Sequence, residues 1–376
     1  MNNQVFSVSN PAPICIGTGL LALDVVFNGN PNVKPNYWAG GSCGNVLTVL
    51  SYLGWQSFPV ARLGKDPAAI KLTDDLHRFK VRLDYVHNDK NVNTPVIVER
   101  IRNIGGIPTH KFYWVCPNCG TWLPRYRAIL QGAARNIMNK MPIPQCFYFD
   151  RVSPGALELA KSARKAGSLV IFEPPSVKDD KNYITAIQLS HIVKYAHDRY
   201  CNIDRLKVSI YPFLLIETLG AEGLRYQFRR NARASKAWKT IPAYHVDDLR
   251  DAAGAGDWCT AGIIHMLGGN GNNDVTQITE EMVIEALRFG QAMAAFNCRF
   301  EGARGGMYKV DKRTFEKAIK NIIKNQSAYS PIDEPVSNEA RNLLRRICPG
   351  CKGHEKLNKR KTQKIRIKSF PNTYFT

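Results

Sequence analysis

Short apolar segments alternate with helical patterns from about residue 128 to residue 310. Residues 146–149 and 169–172 are typical of buried strands, and an amphipathic helical pattern over residues 154–166 separates them. Such alternation predicts an α/β fold with a mostly parallel sheet and helices on both faces. Ligands of these folds bind where the strands end, so functional residues are expected at the carboxyl edge of the sheet.

The first third of the chain is rich in β-strand patterns. Residues 14–30 and 92–127 contain segments in which apolar and polar residues partly alternate, as expected for half-exposed strands. A glycine turn at Gly105-Gly106 would pair residues 94–101 with residues 110–115. These segments predict a small β lid beside the larger sheet.

A decapeptide, Asp251 to Thr260, carries the strongest signal for chemistry. Gly254-Ala255-Gly256 ends on Asp257, and a helical pattern follows at once. Glycines allow several N–H groups to converge, and a helix N-terminus adds donors and a partial positive charge, which together form an anion pocket. Asp257 would stand at its edge as a general base. The alternative is an ordinary loop in which Asp257 caps the helix.

Two further glycine turns flank this segment in sequence. Gly40 and Gly41 open a second helical pattern that contains Asn45. Residues 214–223 read as a strand that runs through Thr218 into a turn with Gly220 and Gly223. A plain β-hairpin turn is the alternative for this last segment.

These three segments, in this order, resemble the signatures of the ribokinase-like (PfkB-type) carbohydrate and nucleoside kinases. The resemblance covers roughly residues 12–310 and implies a kinase domain over residues 1–335, with ATP and Mg²⁺ as cofactors and a sugar or nucleoside as acceptor. It also implies a monovalent cation near Asp251 and a homodimer formed through the lid. The implied roles are Asp257 as base with Gly254, Ala255 and Gly256 around the phosphoryl group, Asp24, Gly40, Gly41 and Asn45 at the acceptor, and Thr218, Gly220, Gly223 and Asp251 on the nucleotide side.

The chain departs from the family pattern at two places. Ala252 stands where the family has Thr, which puts activation by a monovalent cation in doubt. The family's Asn-x-x-Glu pair, associated with magnesium, is missing from residues 195–199, where Asp198 is the substitute acid and Glu173 a second candidate that would act through water. The rival hypothesis is therefore a catalytically weak kinase-fold binding protein whose basic C-terminal tail engages nucleic acid or a protein partner.

Two Cys-Pro-x-Cys knuckles form a signal outside the family pattern. Cys116 and Cys119 belong to the first, and Cys348 and Cys351 to the second. Such turns direct two thiolates at one metal, so the pair predicts a four-cysteine structural Zn²⁺ site that joins the lid to the C-terminal segment. The alternatives are separate metal sites, a site shared across a dimer, or none. The other cysteines, predicted to be packing residues, are Cys15, Cys43, Cys146, Cys201, Cys259 and Cys298.

Charge is concentrated at the end of the chain. The net charge is +21, and the region from Arg341 onward holds eleven Lys or Arg and one acid, Glu355. A solvated terminus is the favoured interpretation of this basic extension (residues 336–376), and nucleic-acid binding is the alternative. No early apolar run is long enough to span a membrane or serve as a secretion signal, so we expect a cytoplasmic protein with reduced cysteines.

Overall fold

The computed structural model describes residues 3–6, 8–28, 34–104, 107–176, 180–199, 208–229, 237–269, 274–325, 327–328 and 343–352. Its strands are β1 Ile14–Thr18, β2 Ala22–Phe27, β3 Asn36–Gly40, β4 Gln56–Gly64, β5 Val86–Asp89, β6 Val96–Ile104, β7 Ile107–Tyr113, β8 Cys146–Phe149, β9 Leu169–Phe172, β10 Ile192–Ala196, β11 Leu214–Thr218, β12 Leu224–Phe228, β13 Lys239–Ile241, β14 His245–Val246 and β15 Ser327–Ala328. Its helices are α1 Ser42–Tyr52, α2 Pro67–Arg78, α3 Gln131–Met138, α4 Pro154–Lys165, α5 Lys181–Leu189, α6 Ala255–Gly268, α7 Glu280–Asn297, α8 Gly305–Lys309, α9 Lys312–Asn325 and α10 Leu343–Ile347.

A nine-stranded sheet forms the centre of the molecule, in the order β13-β12-β11-β10-β9-β8-β1-β4-β5. Every neighbouring pair from β11 to β5 is parallel, and only β12 runs antiparallel to its neighbours. The carboxyl ends of β8, β9, β10 and β11 therefore meet at one edge. The predicted α/β architecture is confirmed.

Helices cover both faces of this sheet. One core packs the apolar sides of α1, α6, α7 and α9 against residues such as Tyr148 and Ile171. The opposite core packs α3, α4 and α5 against Phe147 and Phe172. Successive strand residues face opposite sides, so strands buried on both faces consist of apolar residues without alternation.

A second sheet of four strands, in the order β3-β2-β6-β7, lies beside the first and corresponds to the predicted lid. The predicted lid segment 14–30 is wrong at its start, because β1 pairs with β4 and β8 in the large sheet. Cys15 and Ile16 are both fully buried, which is the signature of a central strand. Strand β3 was not anticipated, and the turn at Gly105-Gly106 lies outside the described residues.

The two faces of the lid meet different parts of the chain. Leu23, Val98 and their neighbours on the outer face pack against Leu344 and Ile347 of α10. The Leu344 N–H donates to the Tyr37 hydroxyl at 3.0 Å. Residues 343–352, the described part of the C-terminal extension, thus cover part of the outer face next to α2, and the inner face is turned towards the carboxyl edge of the large sheet.

Two further predictions concern residues outside the described part of the chain. The basic run of residues 356–368 and Cys201 fall outside the described residues. In the part of the chain that the structure describes, no helix is both long and apolar enough to cross a membrane.

Candidate active site

The turn before α6 has the geometry of an anion pocket. Gly254 adopts a left-handed conformation, φ 74°, and a Cβ there would overlap the carbonyl of Ala303. Helix α6 starts at Ala255, so Asp257 lies in its first turn, where the N–H groups have no partner within the helix; the Ala255 N–H donates to the carbonyl of Ala252 at 3.2 Å. The helix N-terminus favours negative charge at this point. The same turn is fixed from behind by Asn297, whose Nδ2 donates to the carbonyls of Ala253, Gly302 and Ala303.

Asn45 joins the two predicted halves of the site. It lies on α1 immediately after the Gly40-Gly41 turn, and its Nδ2 donates to Asp257 Oδ2 at 2.7 Å. Its own Oδ1 is buried and has no partner. Gly41 has φ 81°, and a Cβ there would lie 2.5 Å from the carbonyl oxygen of Leu20. The residues predicted for the acceptor and for the base are therefore brought together.

Asp24 occupies the inner face of the lid against the same glycine turn. A Cβ on Gly40 would collide with its carboxylate, so only glycine fits there. Burial raises the pKa of Asp24 to about 7, although the Arg304 guanidinium and a hydrogen bond from the Gly41 N–H oppose the shift. One carboxylate oxygen, Oδ1, is buried without a partner. It is available to accept hydrogen bonds from a ligand.

A largely buried ion pair lies beneath Asp257. The Lys194 ammonium, 2% exposed, is 2.5 Å from Glu173 Oε1 and donates to the carbonyl of Gly256 at 3.1 Å. The Thr260 hydroxyl donates to Glu173 Oε2 at 2.6 Å. Burial and the Glu173 carboxylate raise the pKa of Asp257 to about 7, while the hydrogen bond from Asn45 and the charge of Lys194 oppose the shift. Sequence reasoning gave Lys194 no role.

Asp150 is a second residue that sequence reasoning missed. It follows β8 directly and accepts from the Leu20 N–H at 2.9 Å and from the Ser42 hydroxyl. Ser42 follows Gly41, so Asp150 lies next to the acceptor turn. Asp150 and Glu173 are each the first residue after a parallel strand. That position at the carboxyl edge was the signal by which Asp150 could have been found, as Glu173 was.

Asp251 anchors its loop and faces the lid. Its two carboxylate oxygens accept from the N–H groups of Ala253 and Gly302, at 2.9 and 2.8 Å. The Nδ1 atom of His110 on β7 is 3.3 Å from Asp251 Oδ1. Glu99 on β6 is fully buried nearby, and burial, followed by the Asp251 and Asp24 carboxylates, raises its pKa to about 10. Both effects favour the protonated form of Glu99 beside the Asp251 carboxylate.

The segment predicted for the nucleotide forms a hairpin. Thr218 ends β11, and residues 220–222 make one turn of 3₁₀ helix before antiparallel β12. Gly223 has φ 103°, and a Cβ there would overlap the carbonyl of Ile241. The plain-hairpin alternative thus describes the backbone correctly. The hairpin lies at the carboxyl end of β11, on the same edge as Asp150 and Glu173.

The region predicted for magnesium has no free buried acid. Asp198 is exposed in a short 3₁₀ turn, His197–Arg199. The two carboxylate oxygens of Glu217 on β11 already have partners. Oε1 lies 2.6 Å from His197 Nδ1, and Oε2 lies 2.5 Å from Arg225 Nε. Glu173, the other candidate, is paired with Lys194. Its carboxylate still lies at the edge next to the anion turn.

The four predicted cysteines converge on one point. Sulfur–sulfur distances are 3.7 Å for Cys116–Cys351, 3.5 Å for Cys119–Cys348 and 3.5 Å for Cys119–Cys351. These distances are too long for disulfides. A tetrahedral Zn²⁺ with Zn–S bonds of about 2.3 Å requires edges of about 3.8 Å. The sulfur set therefore fits a four-cysteine metal site within one chain.

Comparisons with known proteins identify the fold. No protein-family model matches the sequence, and no curated protein matches it. The structure is similar to an uncharacterized sugar kinase from Pyrococcus horikoshii, with a TM-score of 0.59, 20% identity, and coverage of 82% of this chain and 99% of that one. It is also similar to aminoimidazole riboside kinase from Salmonella enterica, complexed with aminoimidazole riboside and an ATP analog (TM-score 0.59, 18% identity, 81% and 99% coverage).

Ribokinase from Arabidopsis thaliana, complexed with ribose and ATP, is similar to the same degree (TM-score 0.59, 16% identity, 82% and 99% coverage). At these identities the similarity concerns the arrangement of the chain. The protein has the ribokinase-like fold.

Proposed function

We propose that this protein is an ATP-dependent phosphotransferase that acts on a hydroxyl group of a small sugar or nucleoside, as a member of the ribokinase-like kinases. The observation that carries the proposal is the position of Asp257. It lies in the first turn of α6, behind a left-handed glycine turn, and accepts a hydrogen bond from Asn45. A base, an anion pocket and an acceptor-binding amide are thus within one hydrogen-bonded unit.

Each side chain has a defined task in this proposal. Asp24 and Asn45, through their unpaired oxygens, hold the acceptor at the Gly40-Gly41 turn. Asp257 takes the proton of the attacking hydroxyl as the oxygen bonds to the γ-phosphorus and the bond to ADP breaks. The N–H groups at residues 254–256 stabilise the charge on the transferred group. ATP extends along the edge towards Thr218, Gly220 and Gly223.

Metal ions support this reaction in different ways. Magnesium, bound chiefly through the ATP phosphates, would neutralise phosphate charge, and Glu173 is the protein carboxylate on this edge that suits a water-mediated contact. A monovalent cation would be held by backbone carbonyls of the Asp251 loop, for which the hydroxyl missing at Ala252 is not required. Zn²⁺ at Cys116, Cys119, Cys348 and Cys351 is structural, because four thiolates leave no open position.

The rival proposal, a kinase-fold binding protein, is motivated by Ala196 and Arg199 at the positions of the family's Asn and Glu. The intact arrangement around Asp257 favours turnover. A homodimer, if formed, would have to use a surface other than the part of the lid's outer face where residues 343–352 already lie.

The deciding experiment measures ADP release with ATP, Mg²⁺ and a panel of ribose, fructose and nucleosides. We expect acceptor-dependent ADP release that the Asp257→Asn variant lowers by about 10²–10⁴-fold. An Asp84→Asn variant serves as the control, because that acid is exposed, pairs with Arg82 and precedes β5, at the opposite edge of the sheet from the site. If no acceptor raises ADP release above the level of Asp257→Asn, the kinase proposal is refuted in favour of its rival.

A further inference from the structure

A cavity of about 360 Å³ opens between the lid and the large domain, beside the acceptor residues. Its volume lies within the range of roughly 300–1,000 Å³ that is usual for small-ligand sites. Residues from both parts of the chain line it, among them Leu20, Ile97, Trp114, Trp122, Tyr126 and Arg151. None of these residues has a role in the phosphoryl-transfer proposal.

Three contacts connect this cavity to the predicted acceptor site. Ile97 pairs directly with Asp24 on the neighbouring lid strand, so their side chains stand side by side on one face. Leu20 donates its N–H to Asp150, which the Ser42 hydroxyl also contacts. Arg151 is the next residue, and its guanidinium donates to the carbonyl of Asp150 at 2.8 Å. A ligand held by Asp24 and Asn45 can therefore extend into the cavity.

The lining favours a flat, unsaturated group. Trp114 and Trp122 are 48% and 59% exposed, which is unusual for the largest apolar side chain. The Arg125 guanidinium lies 4.0 Å from the centre of the Trp122 ring, so a cation and an aromatic face are already stacked there. Planar rings bind such surfaces with about 1–3 kcal/mol per stacked base.

The same lining disfavours a second sugar ring. Its ten residues are Leu20, Pro95, Val96, Ile97, Trp114, Trp122, Pro124, Arg125, Tyr126 and Arg151, with no Asp, Glu, Asn or Gln among them. A ring covered with hydroxyl groups needs such acceptors when it is buried, because each unpaired hydroxyl is costly. The carbonyl and ring-nitrogen acceptors of a base would instead suit the two guanidinium groups.

We propose that this cavity is a base-binding subsite, and that the acceptor is a nucleoside whose ribose lies at Asp24 and Asn45 while its base stacks on Trp114 and Trp122. This inference rests on the proposed kinase function. It narrows the class of acceptor from sugars and nucleosides to nucleosides.

The turn that contains Cys116 and Cys119 determines the positions of the Trp114 and Trp122 side chains. Val115 and Trp122 form an antiparallel bridge, and the Leu123 N–H donates to the carbonyl of Trp114 at 2.9 Å. Cys116 and Cys119 lie in the turn between the two residues of this bridge. A metal held by the four cysteines would therefore fix the hairpin that carries both rings.

Binding without ATP tests the subsite independently of turnover. Adenosine, inosine, cytidine and uridine are titrated against the full-length protein, and the quenching of tryptophan fluorescence is recorded, with ribose and fructose as comparison ligands. We expect saturable quenching by at least one nucleoside, weaker by tenfold or more in Trp114→Ala and Trp122→Ala. Trp114→Phe keeps a ring and should retain most of the affinity. Trp238→Ala is the matched control, because Trp238 stacks on Arg225 at the far edge of the large sheet.

Steady-state kinetics provide a second test of the base subsite. Both Trp→Ala variants should raise the KM for the nucleoside at least tenfold, with kcat and the KM for ribose changed less than about threefold. If ribose or fructose is phosphorylated and no nucleoside binds, the base subsite is refuted and the kinase proposal stands. If nucleosides quench and no acceptor is phosphorylated, the subsite stands and the kinase proposal fails. Equal loss of nucleoside and ribose affinity in the Trp→Ala variants would also overturn the subsite, since it would show a general effect on the lid.

Discussion

Asn45 on α1 donates a 2.7 Å hydrogen bond to Asp257 on α6, across 212 residues of sequence. The bond ties the helix that begins at the acceptor turn to the helix that begins at the anion pocket. It also favours the charged form of Asp257, in opposition to burial and to Glu173. In the proposed kinase, Asn45 would therefore position the base as well as bind the acceptor.

Replacing Asn45 by Ala should weaken the base in a way that is visible in its titration. The pKa of Asp257 should rise further, because one opposing hydrogen bond is lost while burial remains. We expect kcat/KM at pH 7 to fall about 10–100-fold, with part of the loss recovered at pH 9. Thr48→Ala is the control, since Thr48 on the same helix bonds only the carbonyl of Gly44. A loss that is uniform at all pH values would contradict the positioning role.

The pH dependence of kcat/KM should reflect two carboxyl groups. The pKa values of Asp24 and Asp257 are both raised to about 7 by burial. Each must be ionised to accept a hydrogen bond or a proton, so activity is lost as the pH falls through 7. We expect log(kcat/KM) to approach a slope of two below pH 6, and Asp24→Asn should reduce the slope to one. A flat profile from pH 6 to 8 would contradict both assignments.

Removing one partner of the Lys194–Glu173 pair should lower the free energy of unfolding more than removing both partners. Lys194→Met leaves the largely buried Glu173 carboxylate without its charged partner but with its hydrogen bond from Thr260, and we expect a loss of about 1–3 kcal/mol. The double variant Lys194→Met/Glu173→Gln removes both charges and should regain most of that free energy of unfolding. Urea denaturation at pH 7 measures both values. Equal stability of the single and double variants would show that the pair is not coupled.

The sequence indicated the candidate residues of the site better than the residues that pack behind them. The glycine turns and Asp257 are local signals, since positive φ values and a helix N-terminus depend on a few adjacent residues. Whether a strand residue lies close to the site depends on which strands become neighbours, as it does for Asp150, Lys194 and Glu99. Strand order is not encoded in the local sequence. The position of β1 illustrates the same limit, because a strand pattern does not reveal which sheet it joins.

Gly254 offers a test of the anion turn against a matched glycine. Gly254 and Gly167 have φ values of 74° and 87°, so Ala pays a similar backbone cost at both, about 1–2 kcal/mol. Nothing lies within 4 Å of a Cβ on Gly167, whereas at Gly254 the Ala303 backbone must move. Gly254→Ala should lower kcat by at least about 100-fold, and Gly167→Ala should leave kcat nearly unchanged while both lose some thermal stability. Similar kcat values for the two variants would show that the turn does not have to keep its shape.

The cysteine cluster predicts one tightly bound zinc per chain that holds the C-terminal segment to the lid. Elemental analysis of freshly purified protein should find it, and Cys348→Ser or Cys351→Ser should lose it. Cys298→Ser is the control, because that thiol lies outside the cluster. Without the metal, α10 retains only its apolar contacts and the Tyr37 hydrogen bond. Five helical residues cannot stay folded on such support alone.

The outer face of the lid, including Leu23 and Val98, should then become exposed. A chelator should therefore lower the melting temperature, increase binding of a hydrophobic dye and promote association of the protein. Truncation after residue 342 should reproduce these effects without chelator, because it removes the same cover. Protein that is free of zinc when purified, or that melts at the same temperature with and without chelator, would show that the thiols pack without a metal.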